Sequence, residues 1–462
     1  MANIAVLGYG TVGSGVVEVL NTNKDRINSK SYEPINIKYV LDLRDFPGDP
    51  VQEIITHDYN DILNDNTIDV VVEVMGGINP AYTFVKQALE SGKSVCTSNK
   101  ELVAAHCGEL MAHAKEYNVN FLYEASVGGG IPIIRPINRS ITSDEIVKIV
   151  GILNGTTNYM LTKMSEEGLE YNDVLSDAQA KGYAERNPDA DVEGYDACRK
   201  IAILASLATE KTVSYDDIYT EGITNISKTD MDYVKKMGCS IKLLATADFE
   251  NGKVWARVAP AIVNKENPLS MVNDVFNAIL LQGNMLGDVM FYGKGAGKLP
   301  TASAVVSDIV EAVNHKNINL GIGWSAEKQE LMNIDEVETR KFVRIEYNDK
   351  EKAKADVKSV FGVDEVIEFF GLDGEFAFVT NKAKEKELND KLNELFYNPT
   401  TVAIMLILFG ILFIIIENYN KGKSPKINSL SKITYTVAIM IGIFQLIAAV
   451  FPGTSRSVAT IV

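Results

Sequence analysis

Over the first hundred positions, short apolar runs alternate with longer mixed stretches. Asn3 to Leu7, Ile35 to Leu41, Val70 to Val74 and Ser94 to Thr97 read as strands, and Ser14 to Leu20 and Pro80 to Ser91 read as helices between them. Continuous Val- and Ile-rich runs suit strands buried on both faces, and their alternation with helical segments predicts an α/β fold. Further strands are expected around Val254 to Val263 and Ala278 to Gly283, in an open mixed sheet, with a helix running through Val313. Lys341 to Tyr347 then predicts a strand, Asp349 to Phe361 a helix, Glu365 to Phe369 and Phe376 to Thr380 two strands, and Lys382 to Phe396 a helix. The pattern changes abruptly after that: Thr401 to Ile416 is sixteen residues without a charge, and Ile433 to Phe451 is nineteen. Both approach the roughly 20 residues needed to cross a bilayer, with buried core helices as the other reading.

A chain of 462 residues has room for two or three domains with their own cores. Its formal charge of −16 argues against nucleic acid as a partner, since phosphate binding needs clustered Lys and Arg. Cys96, Cys107, Cys198 and Cys239 form no CxxC pair, and the four His residues form no HxxxH or HExxH pattern. No zinc site is expected, and a reducing cytosol is. Met1 is followed at once by a strand, so no signal peptide is read at the start.

The chemistry begins at Gly8-Tyr9-Gly10-Thr11-Val12-Gly13, a GxGxxG between a strand and a helix. Gly8 permits the tight turn, Gly10 lets a pyrophosphate approach the backbone, and Gly13 allows close helix–strand packing. The N-terminus of the following helix offers N–H donors to the anion. Asp42, at the end of the next strand, suits a ribose 2′-hydroxyl and NAD, whereas Arg44 suits the 2′-phosphate of NADP; both remain open. Met75-Gly76-Gly77 and Ser98-Asn99-Lys100 end two further strands, which aims Lys100 into the cofactor cleft. From Gly182 to Lys200 the chain reads GYAERNPDADVEGYDACRK, with Glu185 and Asp191 ahead of a helix beginning near Gly194. Asp196 and Lys200, four apart, share one face of that helix, and a lysine held beside carboxylates away from water can relay a proton.

Together these motifs resemble homoserine dehydrogenase, from Met1 to about residue 396. The resemblance implies an N-terminal Rossmann domain over residues 1–130, completed by 293–320, and an α/β catalytic and dimerisation domain over 131–292. An ACT-like segment lacking its last strand would follow over 338–396, and threonine feedback with it. It implies reversible hydride transfer between L-homoserine and L-aspartate 4-semialdehyde, in threonine and methionine biosynthesis, with NAD or NADP. By resemblance, Lys200 handles the hydroxyl proton, Lys100 polarises the same oxygen or holds the nicotinamide side, and Asp196 tunes Lys200. Glu185 binds the substrate ammonium, and Asp191 orients it or Lys200. Thr156, in the turn Gly151 to Tyr159, helps shape the substrate pocket. Ser98, and Gly295 in the segment Gly293 to Gly297, join Gly8, Gly10, Thr11, Val12, Gly13, Asp42, Arg44 and Lys100 at the cofactor. Glu124, with the carbonyls of Val127, Gly129 and Ile131, matches a monovalent cation site such as sodium, for which oxygen ligands are suitable. A homodimer is the expected assembly. The competing readings are another NAD(P)-dependent amino-acid semialdehyde enzyme and a non-catalytic nucleotide-binding module.

The last segment, 397–462, is foreign to that family. Phe451-Pro452-Gly453-Thr454-Ser455-Arg456-Ser457 resembles the phosphate-binding motif of undecaprenyl-diphosphate phosphatase, and Ser and Arg suit phosphate contact. That family's paired-Glu motif is missing, and no phosphatase activity is expected of the fragment. The loop between the two apolar runs carries Lys421, Lys423, Lys426 and Lys432. Positive loops favour the cytoplasmic side, which conflicts with a hairpin hung from a cytoplasmic enzyme. The tail therefore reads as a joined gene fragment, natural or from sequence assembly, with membrane association through 401–451 as the alternative.

Overall fold

The computed structural model describes residues 1–363, 365–368 and 374–396. The chain divides into one unit from Met1 to Ile334 and a second from Asp335 on.

The apolar runs of the first unit pair into a six-stranded sheet, β1 (Ala2–Leu7), β2 (Ile35–Leu41), β3 (Ile55–Thr56), β4 (Ile68–Glu73), β5 (Ser94–Thr97) and β6 (Phe121–Leu122), in the order β3-β2-β1-β4-β5-β6. All neighbours are parallel. Helices α1 (Thr11–Thr22), α2 (Lys24–Asn28), α3 (Tyr59–Leu63), α4 (Ala81–Glu90) and α5 (Lys100–Glu116) connect them. Val70, Val71 and Val72 are fully buried, as an uninterrupted run covered on both faces requires. The strand order reverses at β1, so the carboxyl ends of β1 and β4 diverge and leave a crevice between their loops.

The chain then builds a second sheet. In sequence come β7 (Ile146–Ile152), α6 (Gly155–Glu167), α7 (Tyr171–Ala180), α8 (Asp189–Val192), α9 (Tyr195–Thr209), β8 (Lys211–Thr212), β9 (Tyr219–Thr220), α10 (Lys228–Lys236), β10 (Cys239–Asp248), β11 (Trp255–Asn264), β12 (Phe276–Gly283) and β13 (Gly287–Lys294). The order β13-β12-β7-β10-β11-β9 is antiparallel except for the parallel pair β9 and β11. Alternation along the strands gives the sheet two apolar faces. Ile149, Leu243, Ala245, Ile279 and Leu281 join the main core. Ile152 and Ala278, with half-buried Val150, Leu244 and Leu280, form a smaller cluster on the other face.

After β13 the chain returns to the first sheet through α11 (Lys298–Asn314), which packs on α1, β4 and β5. A Cβ on Gly15 of α1 would come 2.8 Å from the Lys298 carbonyl oxygen, so that contact is made backbone to backbone. The outgoing and returning strands of chain cross just as closely. Gly129 has φ +55°, and a Cβ there would stand 2.4 Å from the Gly295 carbonyl oxygen. Beyond α11, β14 (Ser325–Lys328) pairs with β8.

The second unit contains β15 (Glu338–Thr339), β16 (Phe342–Glu346), α12 (Lys350–Phe361), β17 (Glu375–Val379), β18 (Ala383–Lys384) and α13 (Glu385–Phe396). β16 pairs with β17 and β15 with β18, both antiparallel, around Val343, Ile345, Phe361, Phe376 and Phe378. Two sequence expectations need correction here. Of the strand expected over Glu365 to Phe369, residues 365–368 show one bridge, Ile367 to Ala377, and Phe369 lies outside the described residues. The helix expected from Lys382 starts at Glu385, because Ala383 and Lys384 pair as a strand first. The apolar runs 401–416 and 433–451 also lie outside the described residues. Among those described, no helix is long and apolar enough to cross a membrane.

Candidate active site

The first half of the site is the crevice mouth. Gly8 has φ +99°, and a Cβ on Gly13 would lie 1.9 Å from the Gly8 carbonyl oxygen, so strand and helix meet too closely for any side chain. Gly10 caps α1, and a Cβ there would meet nothing within 4 Å. The first N–H groups of α1, at Thr11, Val12 and Gly13, therefore face an approach open to a phosphate. This geometry fits a dinucleotide pyrophosphate. At the end of β2, the Asp42 carboxylate accepts from the Tyr9 backbone N–H at 2.8 Å and from Arg44 through Nε at 2.9 Å and Nη2 at 3.1 Å. The Arg44 guanidinium holds the Asp42 carboxyl down to about 2. Asp42 and Arg44, read from sequence as alternatives, are one ion pair.

The second half is built by three helix starts. Asn99 caps α5, accepting from the Leu102 N–H at 3.1 Å, which places Lys100 at the first helical position. Asn154 caps α6, its Oδ1 accepting from the Thr157 N–H at 2.9 Å and from the Thr157 hydroxyl at 3.0 Å. Gly194, with φ +84°, precedes α9 and sets Asp196 in its first turn. These starts converge on one carboxylate. Asp196 Oδ1 lies 2.5 Å from Lys100 Nζ, and Oδ2 accepts from Lys200 Nζ at 2.8 Å. Lys200 also donates to the Leu153 carbonyl oxygen at 2.7 Å. The Asn154 amide nitrogen donates to Asp191 Oδ1 at 2.7 Å and to Asp196 Oδ2 at 2.9 Å, so it bridges two acids that would otherwise repel.

Burial decides the charges. Asp196 is 3 % exposed and Lys200 8 %. Burial pushes the Lys200 amine below its ordinary value; Asp196 opposes the shift, and Lys100 adds to it. Lys100 feels the same opposition of burial and Asp196, but there the carboxylate wins and its pKa rises. Burial would raise Asp196, yet the two lysines outweigh it and hold the acid ionised. Asp191 is raised, first by burial. One buried carboxylate thus separates a lysine tuned to lose its proton from one tuned to keep it.

Other residues singled out from sequence fall differently. Asp191, read as lying ahead of the Gly194 helix, does so within the short helix α8. The Thr156 hydroxyl donates to the Tyr183 carbonyl oxygen at 2.7 Å, bracing the 182–200 segment. Glu185 is exposed, and its carbonyl oxygen accepts from Gln179 at 3.0 Å. Ser98 donates its N–H to the Glu73 carbonyl oxygen at 3.4 Å. Gly295 lies against Gly129, where the chain crosses itself. The Glu124 carboxylate accepts from the backbone N–H groups of Ile133 at 2.5 Å, Ile134 at 2.9 Å and Arg135 at 2.9 Å, with Arg135 Nε 3.9 Å away. The expectation of a cation at Glu124, Val127, Gly129 and Ile131 gains no support from this side chain. Among the described residues no cluster of three or more His, Cys, Asp or Glu could hold a metal ion. Sequence reasoning missed the Asn154 bridge and also Glu73, a buried acid at the end of β4. Its carboxylate accepts from the Thr97 hydroxyl at 2.6 Å. An acid directly after the Val70 to Val72 run was the available signal.

Comparison with known proteins bears directly on this constellation. Residues 8–124 match the family model "Homoserine dehydrogenase, NAD binding domain", and residues 132–310 match "Homoserine dehydrogenase". Residues 378–462 match "Bacitracin resistance protein BacA", a similarity that begins within the described residues, upstream of the 397 read from sequence. The chain is 38% identical over 411 residues to homoserine dehydrogenase of Bacillus subtilis, covering 85% of this chain and 94% of that one. The solved homoserine dehydrogenase of Thiobacillus denitrificans superposes with a TM-score of 0.79 at 30% identity, over 86% of this chain and 95% of that one. A hyperthermophilic archaeal homoserine dehydrogenase mutant in complex with NADPH superposes with a TM-score of 0.58 at 28% identity, over 67% of this chain and 97% of that one.

The Asn154 bridge makes a prediction independent of turnover. Its amide lowers the Asp191 carboxyl, so Asn154→Ala should move that pKa further up. A carbon-13 NMR titration of Asp191 reads the shift, and an unchanged or lower value would show that the bridge does not control the acid.

Proposed function

The chain belongs to the homoserine dehydrogenase family, and we propose that within it Lys200 carries the hydroxyl proton while Lys100 and Asp196 set its charge. The chain is a homoserine dehydrogenase, an NAD(P)-dependent oxidoreductase that interconverts L-homoserine and L-aspartate 4-semialdehyde. The bound nicotinamide supplies the hydride acceptor or donor. As the alcohol carbon gives up hydride, its hydroxyl proton passes to the Lys200 amine, and the carbonyl forms. In the reverse direction the Lys200 ammonium returns the proton. Lys100 keeps its charge beside the reacting oxygen, where a fixed cation favours the developing alkoxide. Asp191 and Glu185 receive the substrate ammonium, and Thr156 braces the segment that carries them.

The observation supporting this assignment is the Asp196 carboxylate between Lys100 at 2.5 Å and Lys200 at 2.8 Å, with the two lysine pKa values driven in opposite directions. Pairs of titratable groups pushed apart by their surroundings mark acid and base roles. Lys200→Ala should cost roughly 10²- to 10⁴-fold in kcat for homoserine oxidation. The pH profile is the sharper test. Oxidation needs neutral Lys200, so its rate climbs with pH through the Lys200 pKa. Lys100→Met removes a cation that lowers this pKa and should shift the ascending limb to higher pH. Asp196→Asn removes the anion that raises it and should shift the limb to lower pH. Shifts in the same direction, or none, would show that another group carries the proton.

For the cofactor, we propose use of both NAD and NADP with an advantage to NADP. The Arg44 side chain is 63% exposed while it neutralises Asp42, which removes the acid's objection to a 2′-phosphate and leaves guanidinium N–H groups to meet one. The archaeal relative in complex with NADPH points the same way. In homoserine-dependent reduction assays, Arg44→Ala should lower kcat/KM for NADP about ten-fold while changing NAD by less, an interaction worth ~1.4 kcal/mol. Equal losses with both cofactors would remove Arg44 from the choice.

We further propose that a second copy of the chain covers the smaller apolar face of the second sheet, where Val150, Leu244 and Leu280 are only half buried. The edge strand β13 adds exposed Met290 and Tyr292, and apolar surface of this kind marks association. Sedimentation velocity should find a dimer, and Leu280→Glu should shift it to monomer. A wild-type chain that sediments as a monomer at micromolar concentration defeats the assignment.

A further inference from the structure

The crevice and the proton-handling cluster share a connection that the reaction scheme leaves unused. It begins at Glu73, the last residue of β4, which is fully buried. The Glu73 Oε1 accepts from the backbone N–H groups of Met75 at 2.9 Å and Gly76 at 3.3 Å. Its Oε2 accepts from the Thr97 hydroxyl at 2.6 Å, at the end of the neighbouring strand β5. The same hydroxyl accepts from the Asn99 N–H at 2.9 Å. Asn99 then works in both directions: its amide nitrogen donates to the Gly77 carbonyl oxygen at 2.5 Å and reaches Glu73 Oε1 at 3.5 Å, while its oxygen caps α5. The next residue is Lys100, whose amine stands 2.5 Å from Asp196.

The groups held by Glu73 are backbone N–H groups, a hydroxyl and an amide. Burial is the first cause acting on its carboxyl, and it raises the pKa. A buried carboxylate needs its hydrogen bonds in full, so it fixes the donors that satisfy it. Here those donors belong to two turns, Met75 to Gly77 and Ser98 to Lys100, at the carboxyl ends of adjacent strands. The first turn frames the crevice at the end of β4, and the second starts the helix bearing Lys100. An apolar residue at the same place would close the strand equally well but would leave both turns without a common anchor.

We propose that Glu73 is a positioning residue for the reaction: it locks the two strand-end turns together and, through Asn99, sets the Lys100 amine against Asp196. Glu73 touches neither Lys100 nor the second sheet directly, and its effect passes through the cap of α5. The proposal rests on the reading of Lys100 as a fixed charge beside Lys200.

Glu73→Gln keeps the volume and an acceptor for the Met75 and Gly76 N–H groups. It turns a donor toward the Thr97 hydroxyl, which already accepts from Asn99. Thr97→Val removes the hydroxyl from the other side of the same bond and guards against a Glu73 variant that fails to fold. Both are made in the full chain and checked by circular dichroism. The expected result is a roughly ten-fold loss of kcat, less than the roughly 10²-fold that a full 1 Å misplacement can cost. The ascending limb of the pH profile should move to higher pH, as in Lys100→Met. The double variant Glu73→Gln/Lys100→Met should then be no slower than Lys100→Met alone. A wild-type kcat and pH profile in both single variants would overturn the proposal. So would losses that multiply in full in the double variant, because Glu73 would then act by a route that bypasses Lys100. If Lys100→Met itself keeps wild-type turnover, the reading of Lys100 falls first, visibly in that arm alone, and the proposal falls with it.

Discussion

The site depends on a single buried carboxylate that serves two cations. Alone, Asp196 would be costly to ionise at its depth, and either lysine alone would be costly to keep charged. Lys100 comes from the helix that follows β5 of the first sheet, and Lys200 from the same helix as Asp196. The ion pair to Lys100 therefore spans the two sheets, and the pair to Lys200 does not. Charge balance is one positive in excess when both lysines are protonated and neutral when one is not. The deeper lysine, further from water and already bonded to the Leu153 carbonyl, is the one whose proton is easier to remove.

Much of this was readable in the sequence, for reasons that differ by residue. The strands were legible because a parallel sheet covered on both faces leaves apolar runs such as Val70 to Val72, and the strands read at Ile35 to Leu41 and Ser94 to Thr97 keep those bounds in the structure. The glycine fingerprint was legible because close packing at Gly13 excludes every other residue. Asp196 and Lys200 were legible because four residues make one helical turn. The meeting of Lys100 with Asp196 was not, since nothing local relates positions so far apart; only resemblance suggested it. Pairings between side chains were the least legible. Asp42 and Arg44 looked like competing choices until the structure placed them in one bond, and Glu124, read as a ligand, accepts from three backbone donors.

The second unit follows the same logic at a smaller scale. β16, α12, β17 and α13 enclose a small core, as the alternation of apolar positions requires, but the strand expected at 365–369 is reduced in its described part to one bridge. Similarity to the bacitracin resistance protein BacA begins at residue 378, inside β17. The last strand and helix of this unit, β18 and α13, fall within that similarity.

The close crossing at Gly129 and Gly295 has a consequence for how the protein is made. Helix α11 lies on α1, β4 and β5, so the first sheet is covered only when residues up to Asn314 have been synthesised. Leu122, the end of that sheet, leaves the ribosome far earlier. At about 5–20 residues per second, the interval is on the order of ten seconds or more. During that time the nascent chain carries a nucleotide fold with one flank bare, while the second sheet assembles between its halves. Chaperone contact during synthesis should concentrate on the strand faces that α11 later covers.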